Sequence, residues 1–211
     1  MAIQKGVLIV VSGFSGAGKG TLMKELMKTY DNYALSISMT TRAPRPGEEH
    51  GREYFFVSKE EFEEHIAKDE LVEYAQYVEN YYGTPKAYVE EQLEKGKDVI
   101  LEIEIQGALK IKERFPQALL LFVMPPNAEE LRRRLVGRGT ETQEVIDKRL
   151  QRANEESEGI EEYEYVIIND DLSECVATMH GIIQNAKYAV SRNADTIENI
   201  RKELKGLSKG E

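Results

Sequence analysis

Cysteine and histidine are scarce in this sequence of 211 residues, and their scarcity argues against two kinds of site. Cys175 is the single cysteine, so an internal disulfide is excluded. It falls on the apolar side of a predicted helix, where a small core residue is expected. The three histidines are scattered and have no cysteine at metal-ligand spacing, which argues against a structural zinc site. They are His50, His65 and His180.

Long apolar runs and an excess of positive charge are also lacking. No apolar run approaches the ~20 residues that span a bilayer, and the opening residues, Met1 to Gly6, do not form a signal peptide because the apolar run after them leads into a glycine-rich loop. The net charge of −10 argues against binding to nucleic acid or to an anionic membrane. We therefore expect a cytoplasmic protein built as one α/β domain with insertions.

The most informative stretch is residues 7–21, VLIVVSGFSGAGKGT. Val7 to Val11 is short, apolar and β-branched, which predicts a strand buried on both faces. A tight loop with three glycines follows, and Lys19 stands where the loop turns into a helix with one apolar face. A strand, a glycine-rich loop with a lysine and a helix predict a phosphate-binding loop. An ordinary glycine-rich turn is the alternative, but it needs neither the lysine nor all of Gly13, Gly16 and Gly18.

One departure from the common phosphate-loop pattern limits which phosphate-loop proteins this sequence can resemble. The usual serine or threonine directly after the lysine, a magnesium ligand, is replaced by Gly20, and the hydroxyl comes one residue later at Thr21. This order is similar to that of several nucleoside monophosphate kinases. The resemblance implies that Mg²⁺ is held mostly by nucleotide and water, with Thr21 nearer a phosphate.

A second anion-binding segment is predicted at residues 40–47. Pro44 and Pro46 stiffen this loop and prevent a helix. Arg42 and Arg45 within it suit fork-shaped binding of a phosphate. A solvated surface loop is the alternative interpretation.

Apolar runs alternate with helical patterns, which predicts a doubly wound parallel sheet with the phosphate loop after its first strand. Two stretches, 38–84 and 127–158, read as insertions over the ligand-binding edge of this sheet. Tyr33 to Ser38 alternates like a strand, and the buried strands predicted after the first are Val99 to Ile103, Leu119 to Met124 and Tyr165 to Ile168.

Local signals place the remaining elements. Ser58 and Glu61 form a capping box for a helix from Lys59 to Lys68, and Asn127 with Glu130 caps a later helix. The polar tail from Ser191 to Glu211 has an apolar seam that suits packing on the core or on another subunit, or simply a frayed helix. The other predicted elements are strands at Tyr54 to Val57 and Leu71 to Tyr77, a turn at Tyr82 to Thr84, and helices from Lys86 to Gly96, from Thr142 to Glu158 and from Leu172 to Val190.

Charged residues fall at the predicted ligand-binding edge. Glu102 and Glu104 follow a buried strand, where parallel sheets bind ligands. Adjacent arginines point in different directions around a helix, so Arg132 and Arg133 are expected to be solvated partners of nearby glutamates. Arg138 stands between two glycines, as expected of a lid.

Taken together, these motifs resemble guanylate kinase from about Gly6 to Lys187. The resemblance rests on Ser38 to Gly47 with Tyr54, on Glu73, Tyr82-Gly83, Glu102 to Gly107 and Arg134 to Thr142, and on Asn169 to Leu172. It implies an α/β doubly wound parallel sheet of the P-loop kinase type, with a monophosphate-binding insertion and a lid. The implied domain spans 5–188, with the core at 5–37, 85–126 and 159–188, a GMP-binding insertion at 38–84, a lid at 127–158 and a polar tail at 189–211.

The resemblance also implies an activity and a set of residues. The family transfers the γ-phosphoryl group of ATP to GMP and requires Mg²⁺. ATP would be bound by Gly13, Phe14, Ser15, Gly16, Ala17, Gly18, Lys19, Gly20, Thr21, Arg138 and Asn169. GMP would be bound by Ser38, Arg42, Arg45, Tyr54, Glu73, Tyr82, Thr84 and Glu104, and the catalytic set would be Lys19, Arg42, Arg134, Arg138 and Arg149. Glu102 and Glu104 stand where many relatives have Asp, as candidates to contact nucleotide or Mg²⁺-bound water.

The chemistry of guanine agrees with this assignment. One carboxylate can accept the N1–H and the N2 amino group while a hydroxyl donates to O6, so Glu73 with Ser38 is a suitable guanine-recognising pair. The attacking phosphate oxygen is already anionic, so no dedicated base is needed. Two alternatives remain: a guanylate-kinase-like interaction module without catalysis, and a kinase for AMP or UMP. A homo-oligomer is a further expectation.

Overall fold

The computed structural model of the protein describes residues 5–77, 79–137 and 142–207. Two sheets organise the chain: a five-stranded sheet and a four-stranded sheet. The strands are β1 (Leu8–Gly13), β2 (Tyr33–Leu35), β3 (Met39–Thr40), β4 (Phe55–Phe56), β5 (Leu71–Tyr77), β6 (Asn80–Pro85), β7 (Asp98–Glu102), β8 (Leu119–Met124) and β9 (Tyr165–Ile168). The helices are α1 (Lys19–Thr29), α2 (Lys59–Ala67), α3 (Lys86–Glu94), α4 (Ile105–Arg114), α5 (Ala128–Gly137), α6 (Gln143–Ser157), α7 (Leu172–Ala186) and α8 (Ala194–Leu207).

The larger sheet is parallel throughout, in the order β2-β7-β1-β8-β9. Its central strand β1 lies between β7 and β8, and Ile9, Val10 and Val11 are fully buried there. This confirms the predicted buried strand and the predicted α/β class. Because all five strands run the same way, their carboxyl ends meet at one edge, where the phosphate loop and the segment from Glu102 onward lie together.

The smaller sheet, in the order β4-β3-β6-β5, is formed by residues 39–85. The strand predicted from Tyr33 to Ser38 ends at Leu35, because the chain then leaves the parallel sheet and starts β3 at Met39. The turn predicted at Tyr82 to Thr84 is wrong, since these residues belong to β6. Gly83 serves close packing there: a Cβ at this position would lie 2.9 Å from the Glu73 carbonyl oxygen and 3.0 Å from the Phe62 ring.

The last strand of the parallel sheet, β9, is much less buried than predicted. Ile167 is buried, but Tyr165, Val166 and Ile168 are 45%, 40% and 55% exposed. The reason is position: β9 is an edge strand that pairs with β8 on one side. The sequence pattern of an apolar run identifies the strand but not its place in the sheet.

The helix starts follow local sequence. The Ser58 hydroxyl accepts a hydrogen bond from the Glu61 amide, and the Asn127 side chain accepts one from the Glu130 amide, which confirms both predicted caps. The closing helix α7 ends at Ala186, short of the predicted Val190. Within the tail, Ala194–Leu207 forms the helix α8, and none of the residues of this helix is buried. No helix in the described ranges has both the length and the apolar character needed to cross a bilayer.

Candidate active site

The phosphate loop is built by the end of β1 and the start of α1, as predicted. Gly18 caps α1 with a φ of 90°, in the left-handed region that favours glycine. A Cβ at Gly18 would lie 2.5 Å from the Asn169 amide nitrogen, so neither conformation nor space accepts a side chain. The ammonium of Lys19 lies across the loop and donates to the Gly13 carbonyl at 2.7 Å and to the Phe14 carbonyl at 3.3 Å. The lysine is therefore held at the mouth of the loop.

Two predicted nucleotide-binding residues contact the loop backbone from outside. The amide of Asn169, which is buried, donates to the Ala17 carbonyl at 2.8 Å. The Arg134 guanidinium donates to the carbonyls of Ala17 at 3.3 Å and Asn169 at 2.8 Å, and to the Glu130 carboxylate at 2.6 Å. These contacts fix the loop to α5, while contacts of Arg134 and Asn169 with phosphate and adenine stay predictions.

The second helix of the predicted lid also reaches the phosphate loop. Arg149 on α6 donates to the Ser15 hydroxyl at 2.9 Å, which brings it beside the loop as the sequence suggested. Arg138, assigned by resemblance to the ATP site, lies outside the described residues. Arg133 pairs with Glu130 at 2.6 Å on the surface of α5, in line with the solvated role expected for it.

The arginine-containing loop carries an acidic partner that the sequence analysis missed. Arg42 donates to both carboxylate oxygens of Glu48 at 2.9 Å, and its guanidinium lies 5.3 Å from the centre of the Tyr54 ring. The Arg45 amide donates to the same carboxylate at 2.7 Å. These hydrogen bonds, with that from the Arg45 amide the strongest influence, hold the pKa of Glu48 below its usual range. The signal for Glu48 was its position just after two arginines in a proline-stiffened turn.

Two predicted tyrosines lie next to Arg42, in the corner where the sequence predicts anion binding. The rings of Tyr54 and Tyr82 meet edge to face with centres 6.1 Å apart. Burial, and then the neighbouring Tyr82, raises the pKa of Tyr54, so its hydroxyl stays protonated and can donate to an anion. Hydrogen bonding and charge from Glu48, with a smaller influence from Tyr82, raise the pKa of Arg42. Arg42, Tyr54 and Tyr82 are thus brought together as predicted.

The predicted guanine-recognising carboxylate lies on the smaller sheet, next to the first turn of α4. Glu73 on β5 accepts a hydrogen bond from the Thr84 hydroxyl at 2.8 Å, and Thr84 itself is fully buried. Burial raises the pKa of Glu73, whereas the hydrogen bond from Thr84 and the charge of Lys110 lower it. Ser38 lies in the wall of the same cleft as Glu73.

Two adjoining cavities form a cleft with Glu73 in the wall of one and Lys19 in the wall of the other. A cavity of about 760 Å³ has Glu73, Glu102 and Glu104 in its wall. A smaller cavity of about 190 Å³ next to it has Lys19, Glu102 and Glu104 in its wall. The two cavities share the floor formed by residues 102–105, so a group bound at Glu73 and a group bound at the phosphate loop would face each other across this floor.

The acidic floor bears on metal binding. Partial loss of water next to the cavity wall raises the pKa of the Glu102 carboxyl, although the residue remains accessible to solvent. The positive charge of Lys19 acts in the opposite direction and lowers this pKa. No cluster of three or more histidine, cysteine, aspartate or glutamate side chains suited to a metal occurs among the described residues. Two carboxylates with further ligands from phosphate and water suit Mg²⁺, which rarely relies on an all-protein cage. Glu102 and Glu104 therefore fit a metal that arrives with the nucleotide.

Helix α6 contributes residues to the cleft that the sequence analysis did not assign. Arg152 forms ion pairs with Glu104 on the floor and with Glu156 on its own helix. The signal was available, because the cleft-lining residues of α6 recur at three- and four-residue steps on one helical face. They are Lys148, Gln151, Arg152, Glu155 and Glu156.

Comparison with known proteins agrees with this geometry. The guanylate kinase family model matches residues 5–186. Guanylate kinase of Clostridioides difficile is 54% identical over 97% of this chain and all of its own length. That of Caldanaerobacter subterraneus is 50% identical, covering 96% of this chain and 99% of its own. The crystal structure of guanylate kinase from Anaplasma phagocytophilum superposes with a TM-score of 0.71 at 34% identity, covering 91% of this chain and 92% of the other.

These matches cover both sheets, the phosphate loop and the cleft that joins it to Glu73. The fold is that of a P-loop kinase, with a mostly parallel sheet flanked by helices. The chain therefore belongs to the guanylate kinase family and is a nucleotide kinase.

Proposed function

We propose that this protein transfers the γ-phosphoryl group of ATP to GMP, and to dGMP, giving ADP and GDP or dGDP. The observation that carries the proposal is a pair of adjoining cavities over residues 102–105, with the partly buried carboxylate of Glu73 in the wall of one and Lys19 of the phosphate loop in the wall of the other. A guanine monophosphate at the first end and a triphosphate at the second would direct their phosphates toward one another over Glu102 and Glu104.

The base end of the cleft suits guanine. In its ionised form Glu73 can accept hydrogen bonds from guanine N1–H and from the N2 amino group. The Thr84 hydroxyl bonded to one of its oxygens keeps the carboxylate in place. Ser38 in the same wall can donate to O6. Adenine lacks this donor pair, so a partly buried carboxylate left without its partners would disfavour AMP.

The phosphate of GMP would lie at the corner formed by Arg42, Arg45, Tyr54 and Tyr82. One guanidinium nitrogen of Arg42 donates to both carboxylate oxygens of Glu48, which leaves donors on the other nitrogens for a phosphate. The two tyrosine hydroxyls add neutral donors. This combination holds a dianion at a defined place without a base.

The phosphates of ATP would be bound by the loop amides, the N-terminus of α1 and Lys19. Arg149 already lies beside the loop through Ser15 and can turn toward the transferred group. Arg134 and Arg138 complete the cationic set that we propose. Glu102 and Glu104 would face a nucleotide-bound Mg²⁺, which supplies charge neutralisation on the phosphates when bound.

The chemical step requires positioning more than proton transfer. The attacking oxygen belongs to the GMP phosphate, which is anionic at neutral pH, so no side chain has to remove a proton. The protein contributes alignment of two phosphates and stabilisation of the charge that develops between them. The insertion and α6 form opposite walls of the cleft, and their approach would exclude water that otherwise accepts the phosphoryl group.

The same proposal covers partners and location. A net charge of −10 favours small-molecule substrates over nucleic acid or anionic membranes and suits a cytoplasmic enzyme. The exposed apolar side chains of α8, Ile200, Leu204 and Leu207, are compatible with a homo-oligomer.

A coupled assay of ADP release tests the proposal. ATP and Mg²⁺ are supplied with GMP, dGMP, AMP or UMP in separate reactions. We expect strong turnover with GMP and dGMP alone. Turnover with AMP or UMP would contradict the role of Glu73, and no turnover with any of the four would contradict the proposed reaction.

A further inference from the structure

We infer that Arg114, at the end of α4, is a positioning residue for the guanine-recognising carboxylate. It acts through the backbone of β5 rather than by contact with a nucleotide. The inference rests on the proposed function, because it concerns how Glu73 is held in place to recognise guanine. No motif in the sequence analysis involved Arg114.

The strand that carries Glu73 is irregular at this residue. Leu71 pairs with Pro85 and Tyr74 pairs with Gly83, so two residues of β5 stand opposite Thr84 alone. The two are Val72 and Glu73, and their placement forms a β-bulge. Leu71 and Val72 are buried in two different apolar clusters, so the strand is packed on both faces just before Glu73. A bulge changes the direction of the side chains within it, and here the Glu73 carboxylate lies where it accepts a hydrogen bond from the Thr84 hydroxyl.

Arg114 holds this bulge by its backbone. Its guanidinium donates to the Leu71 carbonyl at 2.9 Å and reaches the Val72 carbonyl at 3.5 Å. Val72 is the residue directly before Glu73, so the fixed carbonyl is one residue away from the recognising side chain. Other guanidinium donors meet both carboxylate oxygens of Asp69 at 2.6 Å. The planar fork thus binds a strand backbone and a carboxylate at once, which an ammonium cannot reproduce.

The helix that ends at Arg114 begins in the cleft. Glu104 precedes its first residue and lies in the cleft wall. Gly107, in its first turn, faces the recognising carboxylate: a Cβ there would lie 3.8 Å from a Glu73 carboxylate oxygen. Helix α4 therefore contacts β5 at two levels, at Glu73 near its start and at the bulge carbonyls at its end. Because Arg114 holds the bulge at the end of α4, it also fixes where Glu73 lies against the start of α4.

Asp69 orients the guanidinium from the other side. It follows α2 with a φ of 54°, a left-handed conformation that aspartate and asparagine tolerate better than most residues. Lys86, at the start of α3, lies 3.5 Å from the same carboxylate. Asp69 is exposed, so its ion pairs are screened by water and contribute little by themselves. The bonds from Arg114 to the buried strand, rather than the ion pair, are expected to carry the positioning effect.

The test compares three variants by steady-state kinetics with GMP, with IMP and with varied ATP. IMP lacks the N2 amino group, so the GMP-to-IMP ratio of kcat/KM measures how well Glu73 is placed. We expect Arg114→Met to raise KM for GMP about 10-fold and to reduce that ratio by a similar factor, with kcat and KM for ATP within about twofold. Arg114→Lys should fall between wild type and Met. Asp69→Asn keeps a residue that accepts the left-handed backbone and should change KM for GMP by less than about threefold.

Lys95→Met is the matched control, because it removes an exposed ion pair with Glu91 far from the cleft. An unchanged GMP-to-IMP ratio in Arg114→Met overturns the inference. Equal rises of KM for GMP and ATP with a lowered Tm overturn it too, since they indicate a general structural role. If Arg114→Met does not fold, the GMP-to-IMP ratio of kcat/KM is measured for Arg114→Lys, and an unchanged ratio in that variant overturns the inference. Failure of the wild-type enzyme to phosphorylate GMP contradicts the proposed function instead.

Discussion

The buried Thr84 hydroxyl donates to one carboxylate oxygen of Glu73 at 2.8 Å. This bond fixes one oxygen of the carboxylate, which we propose accepts both donors of guanine. In Glu73→Gln one acceptor oxygen becomes an amino group that opposes the guanine donors, and we expect KM for GMP to rise about 10- to 100-fold. Because IMP offers one donor fewer, its KM should rise less. Steady-state kinetics with both substrates checks this, and an unchanged KM for GMP would place base recognition elsewhere.

Protonation of Glu73 should be visible in the pH profile. Burial raises the pKa of Glu73 above the usual range of a glutamate, against the lowering influence of Thr84 and Lys110. The ionised form accepts both guanine donors, so kcat/KM for GMP should fall as the pH drops through this raised pKa. The GMP phosphate titrates equally with either enzyme, so the ratio of wild type to Glu73→Gln isolates the carboxyl. A ratio that stays constant on the acid side would contradict the assignment.

Lys19 should be needed for chemistry and not for folding. Its ammonium lies at the mouth of the phosphate loop, held by the Gly13 and Phe14 carbonyls. We expect Lys19→Ala to abolish turnover, because it removes the charge aimed at the transferred group, while thermal unfolding stays close to wild type. Lys24→Ala, on an exposed position of the same helix, is the matched control. Near-normal kcat in Lys19→Ala would refute the role.

Two glycines of the phosphate loop should respond differently to alanine. Gly18 has a left-handed φ and lies against the Asn169 amide, so Gly18→Ala is expected to cost about 1–3 kcal/mol of folding free energy and to weaken ATP binding. Gly20 lies in α1, where a Cβ would have no atom within 4 Å. Gly20→Ala should therefore raise the free energy of unfolding by about 0.5–1 kcal/mol. Chemical denaturation measures both, and equal effects would show that the loop conformation is not the cause.

The parallel sheet could be predicted because its signals are local. Val7 to Val11 and Leu119 to Met124 are continuous apolar runs, and the run at the phosphate loop joins a strand directly to a helix. The helix caps at Ser58 and Asn127 are local as well, and both were found where predicted. Each of these features depends on residues that are close to one another in the sequence.

What the sequence did not reveal depends on distant packing. Gly83 resembles a turn residue, but its role is set by Phe62 and the Glu73 carbonyl on other elements. The exposure of β9 follows from its place at the sheet edge. Glu48 pairs with Arg42 within a loop, and Arg152 pairs with Glu104 across the cleft. No periodicity in the sequence indicates which charged residues form these pairs. The bulge at Glu73 is likewise visible only once β5 and β6 are paired.

Transfer of labelled phosphate tests the central claim most directly. The protein is incubated with ATP labelled at the γ-phosphate, Mg²⁺ and GMP, and the products are separated. We predict that the label appears in GDP in proportion to the ADP formed, with little inorganic phosphate, because the closed cleft directs the phosphoryl group to GMP. Label found mainly in inorganic phosphate, or retained in ATP, would contradict the account.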